Sequence, residues 1–332
     1  MDDFSRAGQR SNGPHANRRA WLLAAGGAAL MPFGTLALAQ SAPAASKNVA
    51  NAVDGGAKAA LQPYVGVEPP AATRLISLSG ALTEIVYQLG AQSLLVGSDT
   101  TSNYPEAANR MPKVGYVRQL AAEGVLSLKP DVVIGTTEAG PPVVLQQIAQ
   151  TRVAIALVQS DHSWDEVLRK IRLVGQATGR QAQAAQMAQD LQKEWDAVQA
   201  LVRTTVAANR LPRALFVLSH SGTPQVAGQG TAGDALLRMG GASNVMQGFG
   251  GYRPLTAEAM AQAAPQVIVT TTQGVEAVGG EAKFWARPEL ALTPAYRNKA
   301  LIALEASQLL GFGPRLPLAV RTLHQGLQAV QA

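Results

Sequence analysis

The sequence predicts an α/β protein of two lobes, each a small parallel sheet wrapped by helices, with one long rigid helix joining them. Three observations carry that prediction. Short apolar strands alternate with helix-spaced segments from Arg74 to Gln159 and again after Pro212. A helical stretch free of Gly and Pro separates the two halves, and a block of the first half recurs in the second. At 332 residues with 47% hydrophobic content, the chain can bury two cores.

"RLISLSG" is a short strand ending in Ser-Gly, "ALTEIVYQLGA" has apolar residues at helical spacing, and "SLLVGSD" is the next strand, which makes a β-α-β unit. The alternation continues as helix "LAAEGVLSLKP", strand "DVVIGT", helix "PPVVLQQIAQT" and strand "VAIALVQ". Such alternation implies a parallel sheet covered by helices. From Ser163 to Asn209 the pattern is wholly helical, and "RQAQAAQMAQDLQKEWDAVQALVRTTVAAN" has high helix propensity. A helix of roughly 28 residues is about 42 Å long, enough to bridge two lobes stiffly. The expected divisions are an N-terminal lobe over 73–160, a helical linker over 161–210 and a C-terminal lobe over 211–332.

The recurring block pairs "AAEGVLSLKPDVVIGT" (Ala121–Thr136) with "TAEAMAQAAPQVIVTT" (Thr256–Thr271). Ala-Glu opens a helix in each, Pro follows seven residues after the Glu, and a strand follows the Pro. The matched acids are Glu123 and Glu258, in first helical turns where the helix dipole favours a carboxylate. A weaker echo links "ALTEIVYQLGA" with "AGDALLRMGGA". Either acid alone reads as helix-start stabilisation; as a pair, one on each lobe, they read as a two-point docking surface.

Residues 1–39 read as an export signal: Arg18-Arg19, the apolar "AWLLAAGGAALMPFGTLALA", and a small-residue cleavage pattern with Ala37 and Ala39. Cleavage near Ala39 and a periplasmic mature protein are expected. A membrane anchor is the alternative, against which stand the glycines, Pro32 and the Ala-Leu-Ala ending; the Sec and Tat routes both stay open. Residues 40–72, rich in Ala, Pro, Gly and Ser, read as a flexible leader. The formal charge of +6 falls by two on removal of the signal, and no Lys/Arg cluster is interleaved with aromatics. The balance points to an anionic small ligand and away from nucleic acid. With no cysteine in the chain, disulfides, thiolate metal sites, Fe–S clusters and CxxCH haem attachment are excluded.

Enzyme readings find little support. "GQGTAG" (Gly228–Gly233) matches G-x-G-x-x-G ahead of a helix, so an exported dinucleotide-dependent oxidoreductase is the rival from another class. Its context is poor: the strand "ALFVLSH" ends too early, and no acid lies between Asp234 and Glu258 to hold a ribose. G-x-S-x-G is absent, and Ser219 beside His220 cannot form a triad, because strand neighbours point to opposite faces. The histidines after the signal, His162, His220 and His324, fall in no i, i+4 or H-x-H spacing that would cage a bare transition metal.

One tyrosine stands out in "GYVRQLAAEGVLSLKPDVVIG" (Gly115–Gly135). A phenol with a reference pKa of about 10 binds a metal as phenolate only with help from a cation or the metal itself. Arg118 lies two residues beyond Tyr116, on the same face of an extended loop, and tyrosinate on ferric haem iron is known chemistry. From spacing alone, a half-buried loop aromatic is the stronger reading of Tyr116.

From Arg74 to the C-terminus the chain resembles the periplasmic binding proteins of ABC importers for haem, ferric siderophores and cobalamin, the class with two lobes on one helical backbone. The residues that carry the match are "VGYVRQLAAEGVLSLKPDVV", "VAGQGTAGDALLRMGGASNV", "GYRPLTAEAMAQAAPQVIV" and "LLGFGPRLP" (Leu309–Pro317), and the haem branch matches best. The resemblance implies a non-enzymatic carrier that captures haem as transported ligand between its lobes. Delivery would be to an ABC permease dimer at the inner membrane, with an outer-membrane haem receptor upstream; ferric-siderophore or cobalamin carriage is the alternative within the class. Tyr116 falls on the haem-iron ligand position. Arg118 would favour the phenolate or meet a propionate, and Glu123 and Glu258 fall on the acids that dock against the permease. At what looks like the second-lobe partner position this chain has Gln273, a departure from the basic or imidazole side chain of some haem-branch members. His220, Tyr252 and Arg253 are the substitutes, while His162 reads as an N-terminal neighbour of the "SWDEV" helix.

Overall fold

A computed structural model describes residues 59–208, 211–219 and 223–331. The expected signal segment, its cleavage point near Ala39, most of the 40–72 leader and His220 lie outside the described residues. In chain order the regular elements begin β1 (Leu75–Leu78), α1 (Gly80–Gln88), β2 (Leu95–Ser98), α2 (Ala122–Leu126), β3 (Val132–Thr136), α3 (Pro142–Ala149) and β4 (Ala154–Val158). Two helices follow, α4 (Trp164–Thr178) and α5 (Gln181–Ala208). The second half comprises β5 (Arg213–Leu218), β6 (Gln225–Ala227), α6 (Ala232–Met239), β7 (Ser243–Asn244), β8 (Tyr252–Pro254), α7 (Ala257–Ala263), β9 (Val267–Thr271), α8 (Thr272–Ala277), α9 (Glu281–Trp285), α10 (Pro294–Asn298), β10 (Leu301–Leu304), α11 (Ala306–Leu310) and α12 (Leu316–Gln331).

The first sheet is parallel throughout, in the order β2-β1-β3-β4. Its strands are continuous apolar runs because both faces are covered. Leu75, Val132 and Ile134 join one buried cluster while Ile76, Leu78 and Val133 join another, as the two-residue period of a strand requires. The second half repeats this plan strand for strand. β7, β5, β9 and β10 lie side by side and parallel, with α6 in the place of α1 and α7 in the place of α2. It adds an antiparallel extension, β5–β6–β8, that the alternation pattern did not reveal, because each added strand has only three residues.

The 28-residue helix α5 stands between the halves, preceded by α4. Ser163 caps α4 by accepting from the Glu166 N–H, and Gly179 ends it in the left-handed region at φ 66°, where glycine carries no Cβ penalty. One buried cluster runs from Leu82 and Ile85 through Trp164, Ile171, Trp195 and Val198 to Phe216, Leu236 and Leu323, with Trp164 and Trp195 stacked at 4.9 Å. The two sheets thus share a single core across α4 and α5.

The segment between α11 and α12 locks this joint. The buried Glu166–Lys170 pair (2.7 Å) directs the Lys170 ammonium onto the carbonyls of Gly311 and Phe312, at 2.9 and 3.0 Å. Arg315 binds both oxygens of Glu84 on α1 (3.0 and 3.1 Å), donates to Glu305 and Ser307, and lies over the Tyr104 ring at 3.7 Å. Burial pushes the Glu84 carboxyl up, against the Arg315 charge and hydrogen bond that pull it down.

Candidate functional site

The loop from Asp99 to Leu120 carries the first candidate residues, and a buried polar network fixes it to the sheet. Thr83 joins the hydroxyls of Ser77 and Ser102 at 2.9 and 2.8 Å, and Ser102 donates to Asp99 at 2.7 Å. The Lys113 ammonium donates to Ser98, to the Ser102 carbonyl and to the Ala108 carbonyl. Burial lowers its pKa, partly offset by Asp99. Val114, Val117 and Leu120 are buried in the outer cluster of the first sheet, and Gly115 at φ 110° makes a turn that no side chain would tolerate without strain. The consequence is that Tyr116, 42% exposed, and Arg118 project from an anchored loop.

Beside them runs the loop that leaves β3. It is tied to the tyrosine loop by Gly140 N–H to Val117 O and Leu120 N–H to Gly140 O, both 2.9 Å. From it Glu138 pairs with Arg118 at 2.7 Å, both side chains largely exposed. The sequence reading missed Glu138. Its signal was the internal repeat: at the offset that matches Glu123 with Glu258, Glu138 matches Gln273.

On the second lobe, Tyr252 opens β8 after Gly251, at φ 74°. Its phenol is half-buried. Burial pushes it up from its ordinary value, and hydrogen bonds to the Gly233 amide and the Thr231 side chain pull it back only in part. The Arg118 charge lowers it and the Glu138 charge raises it. Arg253 is exposed and lies over the Phe249 ring at 4.4 Å.

Gln273 sits in the first turn of α8 and is occupied within its own lobe. Its carbonyl oxygen accepts from the Ala306 N–H at 2.9 Å and its amide donates to Glu305 at 3.3 Å, at the Glu305 end of the Arg315 joint. His162 is the residue just before the α4 cap, with its ring 5.1 Å from that of Phe312. His324 is buried, its ring nitrogens meeting the Gly240 carbonyl and the Thr205 hydroxyl. Glu123 and Glu258 occupy the first turns of α2 and α7, exposed, and neither carboxylate makes an ion pair among the described residues.

The glycine-rich stretch is filled from within. β6 directly precedes it, but antiparallel to β5, so no parallel β-α-β unit is formed around it. A Cβ at Gly233 would lie 2.6 Å from the Phe216 ring, and the α6 start is taken by the Thr231 cap and by Asp234, which accepts from Gly230 and Asn244. No helix start is left for a pyrophosphate.

A model of the periplasmic binding protein family matches residues 75–307. The chain belongs to that family. Periplasmic binding proteins are non-enzymatic components of transporters. Among solved structures, this periplasmic binding protein is 45% identical to periplasmic heme-binding protein BhuT in complex with two hemes, covering 78% of this chain and 99% of that one at a TM-score of 0.72. It is 36% identical to periplasmic heme-binding protein RhuT from Roseiflexus sp. RS-1 in apo form, covering 80% and 100% at a TM-score of 0.74. A more distant relative, the vitamin B12-binding protein of Vibrio vulnificus, is 26% identical over 78% of this chain and 91% of its own length. Among the described residues no helix is long and apolar enough to cross a membrane.

Proposed function

We propose that this periplasmic binding protein captures ferric haem between its lobes, with the Tyr116 phenolate on the iron, and delivers it to an ABC-type import permease. The observation that carries the reading is an exposed phenol on a loop pinned to the sheet and to its neighbouring loop. A porphyrin brings four of the iron's ligands, so one protein side chain suffices and no cluster of His and carboxylates is needed. The greater similarity to the heme-binding proteins BhuT and RhuT than to the vitamin B12-binding protein supports haem over cobalamin.

Arg118 and Arg253 would serve the propionates. Gln273 and Tyr252, engaged within their own lobe, would line the second wall without ligating iron. Glu123 and Glu258 would dock on basic residues of the two permease subunits, one acid for each half of a two-fold assembly. The shared core across α4 and α5 favours a small change in lobe angle on binding. The test is a titration of the protein with ferric haem, with cobalamin and a ferric siderophore as competitors. Saturable haem binding that neither competitor displaces is the expected result; displacement by either would move the reading to that ligand.

A further inference from the structure

We infer that Glu138 is a place-holder: it occupies the Arg118 guanidinium until a ligand carboxylate displaces it, and so holds down the affinity of this wall of the cleft for ligands that carry an acid. The inference rests on the haem reading above and names an affinity-setting residue within it. The two side chains meet at 2.7 Å, at 57% and 39% exposure, where an ion pair contributes little net stability and exchanges readily. Both side chains are exposed, on the two loops that the Val117, Leu120 and Gly140 backbone bonds zip together beside Tyr116. Arg118 has no other side-chain acceptor among the described residues.

Once displaced, Glu138 cannot retreat far. Its loop is held to the tyrosine loop by the backbone bonds at Val117 and Leu120, so its charge stays close to the incoming carboxylate and opposes it. A ligand without acids would leave the pair intact and gain nothing from Arg118. The cost of displacement therefore falls on a carboxylate ligand alone, and it sets how tightly that ligand is held at Arg118.

The experiment measures the affinity of the whole protein for ferric haem and for ferric haem dimethyl ester, in wild type, Glu138→Gln and Glu138→Asp, and repeats Glu138→Gln on an Arg118→Ala background. Glu138→Gln is expected to tighten free-acid haem by about three- to tenfold with a steeper salt dependence. It should leave the ester unchanged, and Glu138→Asp should behave as wild type. On the Arg118→Ala background the gain should vanish. If Glu138→Gln weakens acid and ester alike, Glu138 only braces the loop and the inference is overturned. It is equally overturned if both ligands tighten alike or if the gain survives without Arg118. Failure of the wild type to bind either ligand would take down the haem reading and this inference with it. Normal wild-type binding with an indifferent Glu138→Gln would remove this inference alone.

Discussion

The two lobes carry versions of one element that differ by a single residue. In the first it reads Gly115-Tyr116-Val117-Arg118 ahead of Leu120 and Glu123; in the second it reads Gly251-Tyr252-Arg253 ahead of Leu255 and Glu258. Both glycines adopt positive φ, and both leucines are buried. The extra residue of the first lobe is taken up in a turn closed by the Gln119 N–H on the Tyr116 carbonyl at 2.8 Å. Tyr116 is exposed ahead of a buried Val117, whereas Tyr252 joins β8 and is half-buried. One scaffold thus yields an available phenol on one wall and a structural, neutral one on the other.

The same comparison sorts the acids. At the β3 and β9 starts, Asp131 accepts from the Arg74 amide and Gln266 from the Arg213 amide in the same position. At the strand ends, Glu138 holds Arg118 while Gln273 holds Ala306. In both cases the N-lobe has a carboxylate where the C-lobe has an amide. Only at Glu123 and Glu258 do both lobes carry the acid, which is what a partner with two-fold symmetry would demand.

That contrast can be tested at its symmetric point first. Removing the two exposed acids together, Glu123→Ala with Glu258→Ala, should weaken binding to the reconstituted permease by about tenfold or more. Exposed pairs contribute roughly 0.2–1 kcal/mol each, and more where the interface excludes water. Haem affinity should not change, and each single variant should cost about half the effect in free energy. A double variant that docks normally, or one that loses haem, would return both acids to a helix-start role.

A smaller effect sharpens the asymmetry at Asp131. Burial opposes its ionisation, but hydrogen bonds from Thr73 and Arg74 outweigh it, so its pKa lies below the ordinary 3.8. A carboxylate lowered in the folded state contributes stability that is fully present above the unfolded value and is lost as pH falls through the folded one. Asp131→Asn should therefore flatten the acid limb of the melting temperature measured from about pH 7 down to about pH 2. The counterpart Gln266→Asn should leave the shape of that limb alone. An unchanged acid limb in Asp131→Asn would show that the clamp does not titrate with folding.

Much of this architecture is legible in the chain because its signals are local. The strand–helix alternation, the long helix without Gly or Pro and the Ala-Glu…Pro block all report on residues within one or two turns of each other. What escaped depends on distance or on very short elements. The β6–β8 extension consists of three-residue strands with no period to read, and the Arg315–Glu84 joint closes across 231 positions. Glu138 gains its role from two loops zipped by backbone bonds that carry no side-chain signature. Gln273, which stands where the resemblance would put a basic or imidazole side chain, is tied to Glu305 and Ala306 by an amide whose partners lie over thirty residues on.

The central claim, that the N-lobe phenol and not its C-lobe counterpart holds the iron, is tested most directly by the absorption spectrum of the ferric haem complex in Tyr116→Phe and Tyr252→Phe. Tyr252→Phe should keep the high-spin tyrosinate bands of the wild type, since Tyr252 is a half-buried residue of β8 on the other lobe. Tyr116→Phe should lose those bands. Retention of the tyrosinate spectrum in Tyr116→Phe, or its loss in Tyr252→Phe, would contradict the assignment.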